Sequence, residues 1–243
     1  MRSSPWEGME YGQFMSHLVT AREAQVYLEV GVQQGLALSR IAVKTAYGVD
    51  PGFMLSVDPT TNKQALHLYR MTSDAFFRDH SHALKAAGGI DFAFLDGMHL
   101  FEYLLRDVYN TERNCRKSSV IALHDCLPFN SEMIERVNNY AARTPGPHAA
   151  AWTGDVWKVV KILEKYRPDL QITAVDCAPT GLICISNLDP SSTILEDRYN
   201  EIINEWRDVP NNADAMEDFY SNRVIYSAEA IISNFNQSSY FRI

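Results

Sequence analysis

Residues 26–35, Val-Tyr-Leu-Glu-Val-Gly-Val-Gln-Gln-Gly, limit the fold more than any other stretch of the chain. A β-branched, apolar run carries one acid, Glu29, then breaks at Gly31 and again at Gly35. Leu36, Leu38, Ile41 and Ala42 follow at helical spacing. A buried strand that passes through a glycine turn into a helix is the ligand-binding end of a doubly wound α/β sheet. Gly31 supplies the free φ of the turn, and Gly35 lets a neighbour approach the backbone. Gln33 stands where a dinucleotide fingerprint has its middle glycine, the residue that lets backbone reach a pyrophosphate. The turn therefore favours a ligand without a diphosphate over NAD or FAD.

Six more strand-like runs follow, at 46–51, 67–71, 90–95, 119–126, 171–177 and 182–187. The last two are joined through Pro179-Thr180-Gly181, so short a link that they must form an antiparallel hairpin. Helices are expected at 5–24, 35–44, 74–86, 99–114, 131–143 and from Val156 to about Pro168. Leu100, Tyr103, Leu104 and Val108 give the 99–114 helix one apolar face. Residues 52–66 read as a loop with a short helical piece. Residues 190–243 read as mostly helical, with a break at Asn211-Asn212. Their aromatics, Phe219, Tyr220, Tyr226, Phe235, Tyr240 and Phe241, need a surface in this subunit or a second one.

Chemistry-bearing residues gather at strand ends. Asp50 closes the second strand about 20 residues past the glycine turn, where an acid matches the two hydroxyls of a ribose. Ser73 and Asp74, after the third strand, suit an adenine amino group or the N-cap of the next helix. The fourth strand ends in Leu95-Asp96-Gly97-Met98-His99 and the fifth in His124-Asp125. If the fourth and fifth strands are neighbours, they lie about 4.8 Å apart; Asp96 and Asp125 then converge, and two carboxylates that close repel unless protonated or bridged by a cation. Oxygen ligands point to Mg²⁺, Ca²⁺ or Mn²⁺, and His124 tilts the choice toward Mn²⁺ or a heavier metal. His99 and His124 each have the ordinary pKa of a general base. Trp152, Asp155 and Trp157 lie on the loop after the fifth strand, where a substrate would enter and where Asp155 would also suit a helix cap.

The whole chain fits a soluble enzyme with a small substrate. It has 243 residues, 46% hydrophobic and 21% charged, enough for a sizeable core. A formal charge of −8 and a pI near 5.3 argue against nucleic acid or an anionic membrane as partner. Residues 1–7 lack the apolar centre of a signal peptide, and no run is long enough to span a bilayer. Cys115, Cys126, Cys177 and Cys184 have no C-x-x-C spacing and read as buried, reduced cysteines of a cytoplasmic protein.

Glu29-Val-Gly31-x-x-x-Gly35, Gly48-Val-Asp50-Pro51, Leu95-Asp96-Gly97-x-His99 with Glu102-Tyr103, His124-Asp125, and Trp152-Thr-Gly-Asp155-Val-Trp157-Lys158 together resemble class I S-adenosylmethionine (SAM)-dependent methyltransferases. They are most similar to the small bacterial branch catalogued as methyltransferase family 24. The resemblance covers about residues 25–188. It implies a Rossmann-like seven-stranded sheet in the order 3-2-1-4-5-7-6, with the last strand antiparallel. A helical lead over 1–24 and a helical extension over 190–243 would flank a cofactor domain over 25–189. The resemblance places SAM over Glu29, Gly31 and Gly35, with Asp50 on the ribose, Ser73 and Asp74 at the adenine and Asp96 near the methionine end. It implies O-methylation of a small acceptor, a sugar, glycan or natural product, with Mg²⁺ or Mn²⁺ on Asp96, His124 and Asp125. In related metal-dependent enzymes an acid pair follows strand five; here His124-Asp125 departs from it. The rival expectations are an NAD-dependent oxidoreductase and a non-catalytic SAM-binding module. A homodimer is left open.

Overall fold

The computed structural model describes residues 4–146, 148–233 and 237–242. In chain order the strands are β1 (Gly8–Glu10), β2 (Val26–Val30), β3 (Val43–Val49), β4 (Lys63–Tyr69), β5 (Ile90–Leu95), β6 (Cys115–His124), β7 (Gln171–Val175), β8 (Cys177–Ala178), β9 (Leu182–Ser186) and β10 (Ile225–Tyr226). The helices are α1 (Tyr11–Ala21), α2 (Leu36–Arg40), α3 (Ser73–Ala86), α4 (Phe101–Glu112), α5 (Trp157–Tyr166), α6 (Ile194–Asp197), α7 (Tyr199–Trp206), α8 (Ala213–Tyr220) and α9 (Ala228–Ser233).

The main sheet runs β10-β7-β9-β6-β5-β2-β3-β4. The seven strands expected from the sequence stand in the order 3-2-1-4-5-7-6, with β9 antiparallel to both neighbours. The short β10 adds an eighth strand beside β7 that the sequence did not signal. A separate two-stranded ladder joins β1 to β8.

Period-two alternation sends strand side chains to opposite faces. Val26, Leu28 and Val30 enter the core under α3, α4, α5 and α7. Tyr27 enters the core under α1 and α2 with Phe92 and Phe94. The C-terminal segment covers this same chain: Ile202, Trp206, Met216 and Phe219 join the first core, and Ala228, Ile231 and Phe241 join the second. Tyr226 and Tyr240 meet edge to face at 5.3 Å. Phe235 lies outside the described residues. Asn212 caps α8 by accepting from the Ala215 N–H, which explains the break at Asn211-Asn212. All four cysteines are free and buried. No helix among the described residues is long and apolar enough to cross a membrane.

Several helices differ from their sequence expectation. Residues 131–139 form no helix, and only Tyr140–Ala142 makes a 3-10 turn. The Asn130 side chain binds the N–H groups of Glu132 and Met133, and the Met133 carbonyl accepts from Thr153 and Gly154, so these backbone groups are satisfied without a helix. Val137, one of the periodic apolar positions, is 76% exposed and gains nothing from helix formation. Helix α2 stops at Arg40, because Ile41 turns extended and β3 begins at Val43. The loop after β3 has no helical piece; Met54 N and Ser56 N bind the carbonyls of Gln33 and Gln34 and lay it along the glycine turn.

Candidate active site

Register places the site. Val30 pairs with Val49 and with Leu95, and Leu95 pairs with Leu123. The next residue of each strand therefore falls in one row across four adjacent strands: Asp50, Gly31, Asp96 and His124. Asp125 follows in a left-handed conformation, φ +58°.

Gly31 has φ +89°, and a Cβ there would stand 1.9 Å from the Asp96 carbonyl oxygen. The β2 turn and the β5 end are thus in backbone contact, tied further by Asp96 N donating to the Val30 carbonyl at 2.9 Å. Gly35 caps α2 at φ +79°, and its close neighbour is the Leu55 side chain. Asp50 accepts from Gln33 N at 2.8 Å and Gly52 N at 2.6 Å, so it braces the turn as well as facing it. Glu29 is buried beneath the turn and accepts from the Tyr27 hydroxyl at 2.7 Å. Burial pushes its pKa up to about 8, against the pull of that hydrogen bond. Glu29, Gly31, Gln33, Asp96, Phe94 and Tyr11 line a cavity of about 60 Å³. A larger, shallower hollow of about 650 Å³ lies at the opposite, amino-terminal edge of β3 and β4, far from these groups. Convergent acids, imidazoles and a strained turn outweigh volume in choosing between the two.

Beside the cavity, Asp96, His99, His124 and Asp125 form a ring in which acids and imidazoles alternate. His124 Nδ1 lies 3.2 Å from Asp96 Oδ1 and 3.4 Å from Asp125 Oδ1. His99 Nε2 lies 3.5 Å from Asp96 Oδ1 and 3.3 Å from Asp125 Oδ2. Ligand atoms of Asp96, His124 and Asp125 all fall within 4.8 Å of one another, a grouping able to hold a metal ion. Burial pulls the His124 pKa down, but Asp96 and Asp125 outweigh it and hold it up at about 9. His99 is raised in the same way: burial is outweighed by its hydrogen bond to Asp96 and by Asp125. Asp96 is pushed up by burial and pulled further down by His124 and His99. The neighbouring acids thus hold both imidazoles above the ordinary histidine value.

The other sequence candidates divide. Trp152 stands beside His99, ring centroids 5.0 Å apart, and is partly exposed. Trp157 is a correction: it is buried in the core against Phe219, with its indole N–H on Asn211, and offers no face to a substrate. Asp155 is another. It is fully buried, accepts from Phe101 N at 3.1 Å and pairs with Lys158 and Arg136, so it caps α4 across the fold, neither its own helix nor a ligand. Asp74 is held by both arms of Arg106 at 2.8–2.9 Å, and Ser73 hydrogen-bonds Asp107. The cap of α3 is Thr72.

Two residues at the site, Tyr11 and Thr180, escaped the sequence reading, as did Arg136, beside the start of α4. The Tyr11 ring lies 4.2 Å from that of His124 and walls the cavity. Thr180 Oγ1 lies 3.4 Å from His124 Nε2. Arg136 links Glu102 to Asp155. Only Thr180 had a usable signal, since it sits in the hairpin link at the carboxyl edge.

Fold and site define a Rossmann-like α/β protein with a glycine-turn cavity opening on an acid–imidazole ring. No protein-family model matches the chain, and no curated protein matches it. Among solved structures it is similar to the SAH-bound methyltransferase PaMTH1 of Podospora anserina, at 14% identity over 73% of this chain and 78% of that one, TM-score 0.49. It is also similar to the O-methyltransferase TomG of Streptomyces achromogenes, solved with SAM, at 14% identity over 71% and 78%, TM-score 0.47. An O-methyltransferase of Bacillus cereus in complex with SAH gives 14% identity over 72% and 79%, TM-score 0.43. Likenesses this distant concern the course of the chain; what the protein does must be argued from its own site.

Proposed function

We propose that this protein is a SAM-dependent O-methyltransferase acting on a hydroxyl of a small molecule. One observation carries the proposal: Asp96 belongs to two places at once. Its backbone closes against the glycine turn, and its carboxylate belongs to the acid–imidazole ring. A ligand lying over the turn therefore ends against that ring.

The cofactor would lie over Gly31 and Gly35, with Asp50 at its ribose, Ser73 and Asp74 toward its adenine, and Glu29 and Asp96 toward its methionine end. SAM held there would supply a sulfonium methyl for the acceptor oxygen, with the thioether of S-adenosylhomocysteine as the leaving group. The protein's part is alignment, which alone can remove several kcal/mol of barrier, of order 7–11 in the best cases. The Tyr11 ring, with the Asp96 carboxylate beside it, gives the cavity a π face and one acid suited to a cation. The acceptor would enter beside Trp152, whose partly exposed ring suits the face of a sugar or a phenol. Its hydroxyl would meet the ring of Asp96, His99, His124 and Asp125, where its proton has acceptors within reach. A divalent metal held by Asp96, His124 and Asp125 would lower that hydroxyl's pKa.

A sugar, a glycan or a phenolic natural product fits this entrance, and the acidic chain suits neither nucleic acid nor an anionic membrane. A cytoplasmic setting agrees with four reduced cysteines. Residues 25–189 would form the cofactor domain, flanked by the lead over 1–24 and the extension over 190–243. The test is turnover with methyl-labelled SAM over a panel of polyhydroxylated acceptors. Label transfer that Asp96→Asn abolishes is expected; a panel without transfer, from a protein that also fails to bind SAM, would reject the proposal.

A further inference from the structure

We propose that Trp6 and Tyr220 are positioning residues: one from each end of the chain, they hold the backbone just after Asp125 and so fix where its carboxylate points. The proposal rests on the methyltransferase reading for what the site does, but the placement itself is tested without cofactor or acceptor.

Asp125 is the residue that needs holding. It leaves β6 at φ +58°, a left-handed conformation that suits glycine better than a residue with a side chain. Such a conformation persists where the surrounding structure over-determines it. In it the Asp125 carboxylate lies 3.4 Å from His124 Nδ1 and 3.3 Å from His99 Nε2. Relaxation to a negative φ would swing the Cβ, and the carboxylate with it, off the two imidazoles.

The residues that follow show what prevents this. The Leu127 carbonyl accepts from the Trp6 indole N–H at 2.9 Å. The Pro128 carbonyl accepts from the Tyr220 hydroxyl at 2.7 Å. Peptide groups are planar, so two consecutive planes after Cys126 have their orientation set by side chains from the two ends of the chain. The Trp6 and Tyr220 rings lie 6.4 Å apart. Leu127 N also donates to the Thr180 carbonyl at 3.2 Å, and Pro128 adds a fixed φ. Ordinary packing would account for two rings in contact. It does not account for both polar atoms ending on consecutive carbonyls of one strained turn.

Both holding residues are anchored in their turn. Trp6 N donates to the Pro179 carbonyl at 3.0 Å, and β1, which follows, pairs with β8. Gly8 lets that ladder close, because a Cβ there would overlap the Asp176 side chain. Tyr220 ends α8, where Phe219 meets it edge to face at 4.9 Å and is itself packed against buried Trp157. The helical extension after residue 190 thus has a part in the site, from outside the cofactor domain expected over 25–189.

The experiment compares the full-length protein with Trp6→Phe, Tyr220→Phe and the double variant, each of which keeps a ring and removes an N–H or O–H. Nuclear magnetic resonance reads the imidazole C–H signals of His99 and His124, at one pH with chelator present, and the exchange of the Leu127 amide hydrogen. Asp125→Asn marks where the signals go when the carboxylate is lost. Tyr226→Phe, a C-terminal tyrosine that is 40% exposed and packs on Tyr240, is the control. We expect each single variant to move both imidazole signals toward their Asp125→Asn positions, and the double variant to move them further. The Leu127 amide should exchange about two- to tenfold faster for each bond lost. Tyr226→Phe should change neither. Folded variants with lowered melting temperatures but unmoved imidazole signals would make Trp6 and Tyr220 stabilising contacts only and overturn the proposal. A wild-type protein whose Trp6 indole N–H exchanges as freely as an exposed one would overturn it without any variant. A SAM titration of the same samples keeps the two proposals apart: no SAM binding removes the methyltransferase and leaves the imidazole result standing, while SAM binding with unmoved imidazoles does the reverse.

Discussion

Gly31→Ala is the substitution whose cost the structure fixes most closely. Gly31 sits at φ +89°, a conformation that costs an L-residue about 1–2 kcal/mol. The new methyl would also stand 1.9 Å from the Asp96 carbonyl oxygen and 2.4 Å from its carbon. Ordinary contact is about 3.5 Å, so backbone must move by roughly 1.5 Å, and neither side is a flexible side-chain tip. Overpacking of this kind costs about 1–3 kcal/mol more. The sum is about 2–5 kcal/mol, or a loss of roughly 5–20 °C in melting temperature for a chain of this size. Gly52→Ala is the control, because nothing lies within 4 Å of its Cβ and its φ is not left-handed. Urea unfolding of the three proteins, monitored by circular dichroism, reads both values. A Gly31→Ala protein as stable as Gly52→Ala would refute the backbone contact between β2 and β5 on which the site is built.

Other consequences can be measured on the same footing. Glu29 has a folded pKa of about 8 against an ordinary 4.5, so its contribution to stability is present below pH 4.5 and is lost as pH rises through 8. Glu29→Gln, which keeps an acceptor for the Tyr27 hydroxyl, should gain roughly 2–4 kcal/mol over wild type between pH 5 and pH 9. Parallel pH dependence of the two urea midpoints would contradict the burial. Arg167 and Glu112 form a buried two-pronged pair at 2.6 and 2.9 Å, so Arg167→Met should cost about 3–5 kcal/mol by stranding Glu112, and a second change, Glu112→Gln, should restore part of it. Asp155→Ala removes the cap of α4 and strands buried Lys158; a loss of about 2–4 kcal/mol is expected in thermal unfolding, and none if Asp155 only contacts a ligand.

What the sequence made legible follows from how local the signal was. Strands β2, β5 and β9 are buried almost throughout, so each reads as an apolar run, whereas the edge strand β4 is not buried; the strand order came with the family resemblance. Asp50, Asp96, His124 and Asp125 were visible because each ends such a run, and strand ends share an edge. Residues 131–143 misled because helical spacing says nothing of burial: Val137 faces solvent, and the Asn130 side chain takes the first N–H groups. Asp155 misled for the opposite reason, since its partner Phe101 lies 54 residues away. Trp152 and Trp157 look alike in sequence, yet α5 carries one to the core while the preceding loop leaves the other at the site. Tyr11 had no signal at all. Its place depends on α1 being tied to α2 through the Glu10–Arg40 pair, which lays its first turn over the carboxyl edge.

The most direct test of the central claim is calorimetric titration of the purified protein with SAM, with NAD as control. One SAM per chain at micromolar affinity, weakened at least about tenfold (about 1.4 kcal/mol) by Asp50→Ala and undetectable for NAD, is the predicted result. No SAM binding, or NAD bound in its place, would contradict the claim and leave the glycine turn an ordinary strand–helix junction of an α/β fold.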